Sequence, residues 1–271
     1  HVVPSVYRAA LQENAAIYHF HDPELIPVGL MLKRRGKPVI YDVHEDYQTS
    51  IRQKRYLPPW SRALLSSLWS KLEIASTRGF EIVLAEKYYR QRFPTGVPIL
   101  NYPSLQILPE PAHKESIPPR LLYTGTLSED RGALLHARLA ALVPGVEVHI
   151  VGRCSDRLRE RMTAAAGSAR DRLRLDVSPA GVPYSRIAAC YAREWLAGLA
   201  LFPPTPHYMQ KELTKFFEYM GAGIPILCSD FPVWRNLVER NDCGLCIDPQ
   251  EPAAIVEAVS WLRDHPAEAQ A

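Results

Sequence analysis

Glu218 is the residue whose position most clearly indicates a chemical role, because it is a carboxylate inside an apolar segment. The segment Lys215–Ile226 (KFFEYMGAGIPI) is typical of a short helix, a glycine stop and a buried strand. An unpaired buried charge is expensive, so we expect Glu218 to have a polar partner. The amides of Leu213 and Thr214 would lie at the N-terminus of this helix, where backbone N–H groups can bind an anion. The segment therefore predicts an anion-binding site.

Polar and glycine residues follow several predicted strands, at the point where each strand ends. Those after the first two strands are His21, Asp22, His44 and Glu45, and those after the fifth are Gly125, Thr126 and Arg131. Ligands of open parallel sheets bind outside the carboxyl ends of the strands. We therefore expect these residues to line a cleft between two domains.

Strands and helical stretches alternate along two blocks of the sequence, which predicts parallel sheets with helices on both faces. The expected fold class is α/β, with two Rossmann-like domains. The first, partial, domain is predicted over residues 1–102 and the second over residues 119–271. Residues 103–118 are rich in proline and lack periodicity, which is typical of a linker.

The composition is that of an ordinary globular protein, with 47% hydrophobic and 23% charged residues among 271. A net charge of +3 is too small to indicate nucleic-acid binding. No apolar run reaches the ~18 residues of a membrane helix. The five cysteines are scattered, which fits a reducing, cytoplasmic location. Cys243 and Cys246 form a lone C-x-x-C without the further ligands that a zinc site needs.

Several motifs resemble those of one enzyme family. The pattern K-x-x-E-Y-M-x-x-G-x-P-I at Lys215–Ile226 resembles the donor-binding signature of retaining glycosyltransferases of family four (glycosyl transferases group 1), which have the GT-B fold. Y-T-G-T-L-x-x-x-R-G, which begins at Tyr123, is similar to the loop that opens their C-terminal domain. H-x-H-D-P-E-L and Y-D-x-H-E resemble their N-terminal motifs. The resemblance implies transfer of a sugar from a nucleoside diphosphate sugar, with retention, to a glycan or lipid-linked acceptor in cell-surface polysaccharide synthesis.

The resemblance also implies which C-terminal residues bind the donor phosphates. Gly125 would let the backbone approach a phosphate, and Arg131 would neutralise that phosphate. Thr126 stands where the family usually carries a further arginine, so Lys215 or Lys211 would supply the missing charge.

Two positions correspond to the family's pair of glutamates. Glu218 would bind the ribose hydroxyls, since a carboxylate accepts hydrogen bonds from both groups of a diol; the alternative is that it caps a neighbouring loop. Gln210 stands where the first glutamate would contact the donor sugar, and it carries no charge. Residues 177–184 (VSPAGVPY) would approach the nucleobase.

In the N-terminal motifs, the resemblance gives His44 the catalytic position, where a histidine contacts the donor sugar near the anomeric carbon. His21, Asp22 and Glu45 would line the acceptor side. The sequence contains no D-x-D motif, so we expect no metal, and no cofactor besides the nucleotide-sugar co-substrate. Basic residues and a helix N-terminus would stabilise the diphosphate. No carboxylate nucleophile is evident, which favours attack on the face that the diphosphate leaves.

The stretch 51–71 mixes five basic residues with aromatic ones. One hypothesis is that this surface rests on an anionic membrane, at the inner face of the cell membrane where lipid-linked acceptors reside. The alternative is an ordinary amphipathic helix, in which Leu64, Leu68 and Leu72 share one face and pack on the sheet.

The family usually has further strands before the H-x-H-D segment and a closing C-terminal helix, so we expect this chain to be a fragment or a trimmed form. Two rival functions stay open. A nucleotide-sugar epimerase shares the fold, and a non-catalytic nucleotide-sugar-binding module would fit Gln210 and Thr126. An NAD-dependent enzyme is a weaker alternative, because no complete G-x-G-x-x-G follows an opening strand.

Overall fold

The computed structural model describes residues 2–53, 57–104, 108 and 118–269. The chain divides into two compact units, His1–Asn101 and Tyr102–Ala271, which are called the N-terminal and C-terminal units below. Most of the predicted linker at 103–118 lies outside the described residues. Each unit has its own parallel sheet and its own hydrophobic core.

The N-terminal unit contains a four-stranded parallel sheet in the order β1-β2-β3-β4. Its strands are β1 Tyr18–Phe20, β2 Val39–Val43, β3 Glu81–Leu84 and β4 Val97–Pro98. Its helices are α1 Val2–Glu13, α2 Ile26–Arg34, α3 Tyr47–Gln53 and α4 Pro59–Thr77. Sequence reasoning missed the first and third of these helices, since valines, threonine and serine there have only moderate helix propensity.

Helix α2 lies unusually close to the sheet. A Cβ atom on Gly29 would lie 2.8 Å from the ring of Phe20 and 2.9 Å from that of Phe80, so a glycine is needed for this close approach. A short 3-10 turn, Pro23–Leu25, precedes the helix. Asp22 occupies the N-cap position of this turn, but its side chain makes no capping hydrogen bond.

Helix α4 buries its polar face and exposes its leucines. Its buried residues are Ser66, Ser70, Glu73 and Thr77, whereas Leu64, Leu68 and Leu72 are 62%, 51% and 53% exposed. The alternative prediction that these leucines pack on the sheet is therefore wrong. The physical reason is a buried polar network, in which Glu73 accepts a hydrogen bond from the Tyr41 hydroxyl at 2.7 Å and pairs with Arg92. No helix in the described part of the chain is long and apolar enough to cross a bilayer.

The C-terminal unit contains a six-stranded parallel sheet in the order β10-β9-β8-β5-β6-β7. Its strands are β5 Arg120–Thr126, β6 Glu147–Arg153, β7 Leu173–Ser178, β8 Ala197–Ala200, β9 Ile226–Ser229 and β10 Gly244–Ile247. Its helices are α5 Ala133–Leu142, α6 Asp156–Ala166, α7 Tyr184–Tyr191, α8 Thr214–Gly221, α9 Pro232–Arg240, α10 Pro252–Asp264 and α11 Pro266–Ala269. The predicted α/β class, with two parallel sheets flanked by helices, is confirmed.

The order of this sheet reverses beside β5. The chain runs from β5 to β6 and β7 on one side, and then to β8, β9 and β10 on the other. The carboxyl ends of β5 and β8 therefore flank the point at which the two halves diverge, where ligands of such sheets bind. Gly125 and Thr126 lie at this point, because they are the last two residues of β5.

Candidate functional site

Two facing glycines lie at the carboxyl ends of β5 and β6. Gly125 pairs with Gly152 in the parallel ladder and has a φ of 108°. A Cβ atom on Gly152 would lie 1.9 Å from the carbonyl oxygen of Gly125, so no larger residue fits there. On Gly125, by contrast, a Cβ atom would meet no described atom within 4 Å. A ligand can therefore approach the backbone of Gly125 directly.

Arg131 is fixed beside this backbone. Its Nε donates to the Tyr208 hydroxyl at 2.8 Å, and its guanidinium also donates to the carbonyl oxygen of Thr126 at 3.3 Å. Gly132, which follows, has a φ of 72°, and a Cβ atom on it would lie 1.9 Å from the carbonyl oxygen of Leu201. The turn and the two hydrogen bonds therefore orient the guanidinium before any ligand binds.

Lys215 places a second cation in the same region. Its Nζ donates to the carbonyl oxygen of Thr124 at 3.0 Å and lies 3.6 Å from the centroid of the Tyr123 ring. Burial lowers the pKa of Lys215 well below its usual value, the positive charge of Arg131 lowers it further, and the negative charge of Glu218 opposes the shift. Three charged groups therefore act on one another at this edge of the sheet.

Glu218 has the polar partner that its position requires. The Tyr191 hydroxyl lies 2.8 Å from Oε2 of Glu218, to which it donates, and 2.7 Å from Oγ1 of Thr124. Because that hydroxyl has a single proton, Thr124 is the donor in the second bond. Burial raises the pKa of Tyr191, so the phenol stays neutral. Sequence reasoning missed Tyr191, since it lies 27 residues from Glu218 and on another helix.

One further residue of this region, His136, was also missed, whereas Tyr184 belongs to the predicted segment 177–184. His136 is fully buried, and its Nε2 accepts a hydrogen bond from the Leu201 amide at 3.1 Å. Burial lowers the pKa of His136 well below its usual value, and Lys215 lowers it further, so the ring is neutral. Tyr184 lies at the start of α7, where burial and then the charge of Glu218 raise its pKa.

The other predicted donor residues lie in the loop before α8 and in its first turn. Leu213 is the N-cap residue, with extended backbone, and Thr214 is the first residue of the helix. The loop is anchored by Trp234, whose Nε1 donates to the carbonyl oxygen of Lys211 at 2.6 Å. The side chain of Gln210, in contrast, is exposed.

In the N-terminal unit, three histidines surround one aspartate. Oδ2 of Asp42 lies 3.1 Å from Nε2 of His19, 3.3 Å from Nδ1 of His21 and 3.1 Å from Nε2 of His44. His19 pairs with Ile40 in the ladder of β1 and β2, and residues two apart share a face of a strand, which explains the clustering. Asp42 therefore brings the predicted His21 and His44 together, although sequence reasoning gave it no role.

The two predicted acidic residues of this unit, Asp22 and Glu45, are exposed. The neighbouring Asp46 is buried and caps α3, because its Oδ1 accepts a hydrogen bond from the Thr49 amide at 3.1 Å. Arg92 lies 3.5 Å from the same carboxylate oxygen. Asp46 therefore holds the segment after β2 in place.

The sequence model of the glycosyl transferases group 1 matches residues 118–265, which is more than half of the chain. The chain belongs to this family. Its candidate donor residues, from Gly125 to Glu218, all fall within the matched range. A comparison with curated protein sequences finds no match.

Solved structures share the architecture of this glycosyltransferase. Sucrose-phosphate synthase from Thermosynechococcus elongatus superposes with a TM-score of 0.70 at 17% identity, over 99% of this chain and 70% of that one. HepE from Anabaena, in complex with UDP-glucose, gives 0.69 at 13% identity, over 99% and 74%. A putative UDP-N-acetylglucosamine 2-epimerase from Listeria monocytogenes gives 0.58 at 13% identity, over 99% and 71%. These likenesses establish the GT-B fold.

Proposed function

We propose that this glycosyltransferase is a retaining, hexosyltransferase-type enzyme that moves a sugar from a nucleoside diphosphate sugar to a glycan or lipid-linked acceptor. The observation that carries the proposal is the convergence of Arg131, Lys215 and Glu218 at the carboxyl edge of the C-terminal sheet. Two cations and one carboxylate in one region match the charges and hydroxyls of a nucleoside diphosphate.

The diphosphate would lie against the bare backbone of Gly125 and Thr126. Arg131 is already oriented by two hydrogen bonds, and the buried ammonium of Lys215 would gain a counter-charge. The N-terminus of α8, capped by Leu213, would add amide donors. The complex of the neighbouring HepE with UDP-glucose supports a donor of this class.

Glu218 would bind the ribose of the donor. Tyr191 engages Oε2, so Oε1 would accept hydrogen bonds from the ribose hydroxyls. Tyr184, whose pKa responds to Glu218, would flank the nucleobase with the rest of segment 177–184. Gln210, at the exposed end of the loop, would contact the donor sugar as a neutral partner.

His44 would be the catalytic residue of the N-terminal unit, in contact with the donor sugar near the anomeric carbon. Its Nε2 lies 3.1 Å from Oδ2 of Asp42, so Nδ1 is the nitrogen that remains for a sugar hydroxyl. His21, Asp22 and Glu45 would line the acceptor side.

The transfer would proceed on one face of the sugar. The acceptor oxygen would bond to the anomeric carbon as the bond to the diphosphate breaks, and a diphosphate oxygen would take the acceptor's proton. Arg131, Lys215 and the amides of α8 would stabilise the departing charge without a metal ion.

An exposed apolar stripe on α4 favours contact with a membrane. The stripe consists of Trp60, Leu64, Leu68 and Leu72, spaced four residues apart on one helix. Apolar side chains of this kind insert at the membrane interface, while nearby basic residues such as Arg62 and Lys71 attract anionic lipids. The enzyme would then act at the inner face of the cell membrane, on acceptors for cell-surface polysaccharide.

Co-sedimentation with vesicles that contain anionic phospholipid tests this contact. Replacing Leu64, Leu68 and Leu72 together by serine should abolish binding, and Ile17→Ser, at another exposed apolar residue of the same unit, should not. Neutralising Arg62 and Lys71 should weaken binding most at low salt. The membrane contact would be wrong if the wild-type protein did not co-sediment with the vesicles, or if the variant with all three leucines replaced still did.

A thermal-shift screen across nucleoside diphosphates tests the donor site. At least one should raise the melting temperature, and Glu218→Gln should weaken its binding by about tenfold. Glu239→Gln, which removes an exposed carboxylate of α9, should bind as the wild type does. If none of the nucleoside diphosphates stabilised the protein, the proposed function would be wrong.

Product analysis with the matching nucleotide sugar separates the rival functions. Transfer with the anomeric configuration kept supports the proposal, and transfer with inversion contradicts its stereochemistry. Binding without turnover would indicate a non-catalytic module. A donor converted into its epimer would indicate an epimerase, the class to which the neighbour from Listeria monocytogenes is assigned.

A further inference from the structure

We propose that His19, His21 and Asp42 of the N-terminal unit form a binding site for a divalent transition-metal ion with the ligand preferences of zinc. Zinc binds imidazole nitrogens and carboxylate oxygens in tetrahedral sites, often with one position left for water. The site goes beyond the proposed transfer reaction, in which no metal ion takes part.

The spacing of the three ligand atoms fits such an ion. One nitrogen of each histidine and one carboxylate oxygen all lie within 4.8 Å of one another. The oxygen is 3.1 Å from Nε2 of His19 and 3.3 Å from Nδ1 of His21. Ligands at ~2.0–2.1 Å from a tetrahedral zinc ion are about 3.4 Å apart. The two oxygen–nitrogen distances therefore already approach those of a coordinated set.

The state of Asp42 is an independent argument for a cation. The residue is 7% exposed, and its buried Oδ1 has no hydrogen-bond partner among the described residues. Three imidazole nitrogens crowd the other oxygen, Oδ2, which has only two lone pairs in the carboxylate plane. Three nitrogens therefore compete for the lone pairs of Oδ2, whereas Oδ1 accepts no hydrogen bond from the described residues. A cation bound at Oδ2 would replace these crowded contacts with one positive charge, and it would neutralise the charge of the buried carboxylate.

The strands make this ligand set rigid. His19 lies in β1 and Asp42 in β2, next to each other in a parallel sheet, and His21 follows β1 on the same face. Ligands on paired strands need little reorganisation to bind an ion. The two rings are about half exposed, so the ion has a path from solvent.

The ion would compete with the proposed use of this region in transfer. His44 contacts the same Oδ2, and its ring lies 4.7 Å from that of His21. Coordination would withdraw His21 and Asp42 from these contacts, so zinc should inhibit transfer while a chelator leaves transfer intact. This consequence rests on the proposed function, whereas binding of the ion does not.

Cobalt(II), whose visible absorption is intense in tetrahedral sites, is the probe of binding, with zinc as the competitor. We expect one ion per chain, displaced by zinc, with the Asp42→Asn variant weakened by at least about tenfold. His19→Ala changes a half-exposed ring and keeps the test valid if the buried Asp42→Asn substitution fails to fold. Glu13→Gln and His265→Gln, at exposed residues outside the ligand set, should bind cobalt as the wild type does.

The outcomes separate the two proposals. Saturable tetrahedral binding that is lost in Asp42→Asn or His19→Ala supports the site, whatever the transfer activity. Absence of saturable binding, or equal binding in every variant, would overturn it. If a chelator abolished transfer, the metal-free transfer step would be wrong, and the site would still be decided by cobalt binding alone.

Discussion

The pKa of Lys215 depends on both its burial and the charges of its neighbours. Burial and the guanidinium of Arg131 both disfavour its protonated form, and Glu218 favours it. A bound diphosphate would add negative charge beside the ammonium and raise the lowered pKa. Between the pKa of the free protein and that of the complex, binding should therefore take up a proton.

The affinity for the stabilising nucleoside diphosphate should consequently fall as the pH rises through the lowered pKa of Lys215. Calorimetry in two buffers of different ionisation enthalpy measures the proton uptake. Lys215→Met should remove the uptake and weaken binding by about tenfold or more. Lys211→Met, in the neighbouring loop, should keep the uptake; an unchanged pH profile in Lys215→Met would contradict the assignment.

His136 should make the stability of the C-terminal unit depend on pH. Because burial lowers its pKa, the unfolded state binds a proton that the folded state does not, so stability falls as the pH drops below about 6.5. Between pH 7.5 and 5.5 the loss in unfolding free energy amounts to about 1.4 kcal/mol. Urea unfolding of His136→Gln should show a correspondingly smaller loss, and the exposed His265→Gln should show the wild-type loss.

At the scale of elements, the β5–β6 pair depends on the contact between Gly152 and the carbonyl oxygen of Gly125. Gly152→Ala would place a Cβ atom 1.9 Å from that oxygen, so the strands must separate where the phosphate is proposed to bind. We expect a loss of roughly 2 kcal/mol or more in unfolding free energy and weaker nucleotide binding. Gly145→Ala tests backbone strain alone, since its φ is 80° with open space around it; it should cost about 1 kcal/mol and leave nucleotide binding unchanged.

At the scale of the whole molecule, the two units have separate hydrophobic cores. We therefore expect two unfolding transitions in denaturant. Leu84→Ala and Leu139→Ala remove equally buried leucines from the N-terminal and C-terminal cores. Each should lower the unfolding free energy of its own unit by about 2–5 kcal/mol and leave the other transition unchanged. A single transition shifted equally by both variants would show that the units unfold together.

The C-terminal unit could be predicted from sequence more fully than the N-terminal one. Its strands are short apolar runs separated by regular helices, and the glycines at the end of β5 and within Lys215–Ile226 carry a local signal. In the N-terminal unit, the buried face of helix α4 is not the one that its apolar periodicity predicts. Its leucines predict a buried face, but Glu73, Tyr41 and Arg92 form a polar network that turns the other face inward.

The sequence by itself determined the alternation of elements, the family and the positions of Gly125, Arg131, Lys215 and Glu218, because motifs and periodicity are local properties of a chain. Tertiary structure alone decided which partners these residues meet. Tyr191 reaches Glu218 from 27 residues away, and Asp42 gathers histidines from two strands. Such contacts depend on strand order and register, which bring together residues whose separation along the sequence carries no signal.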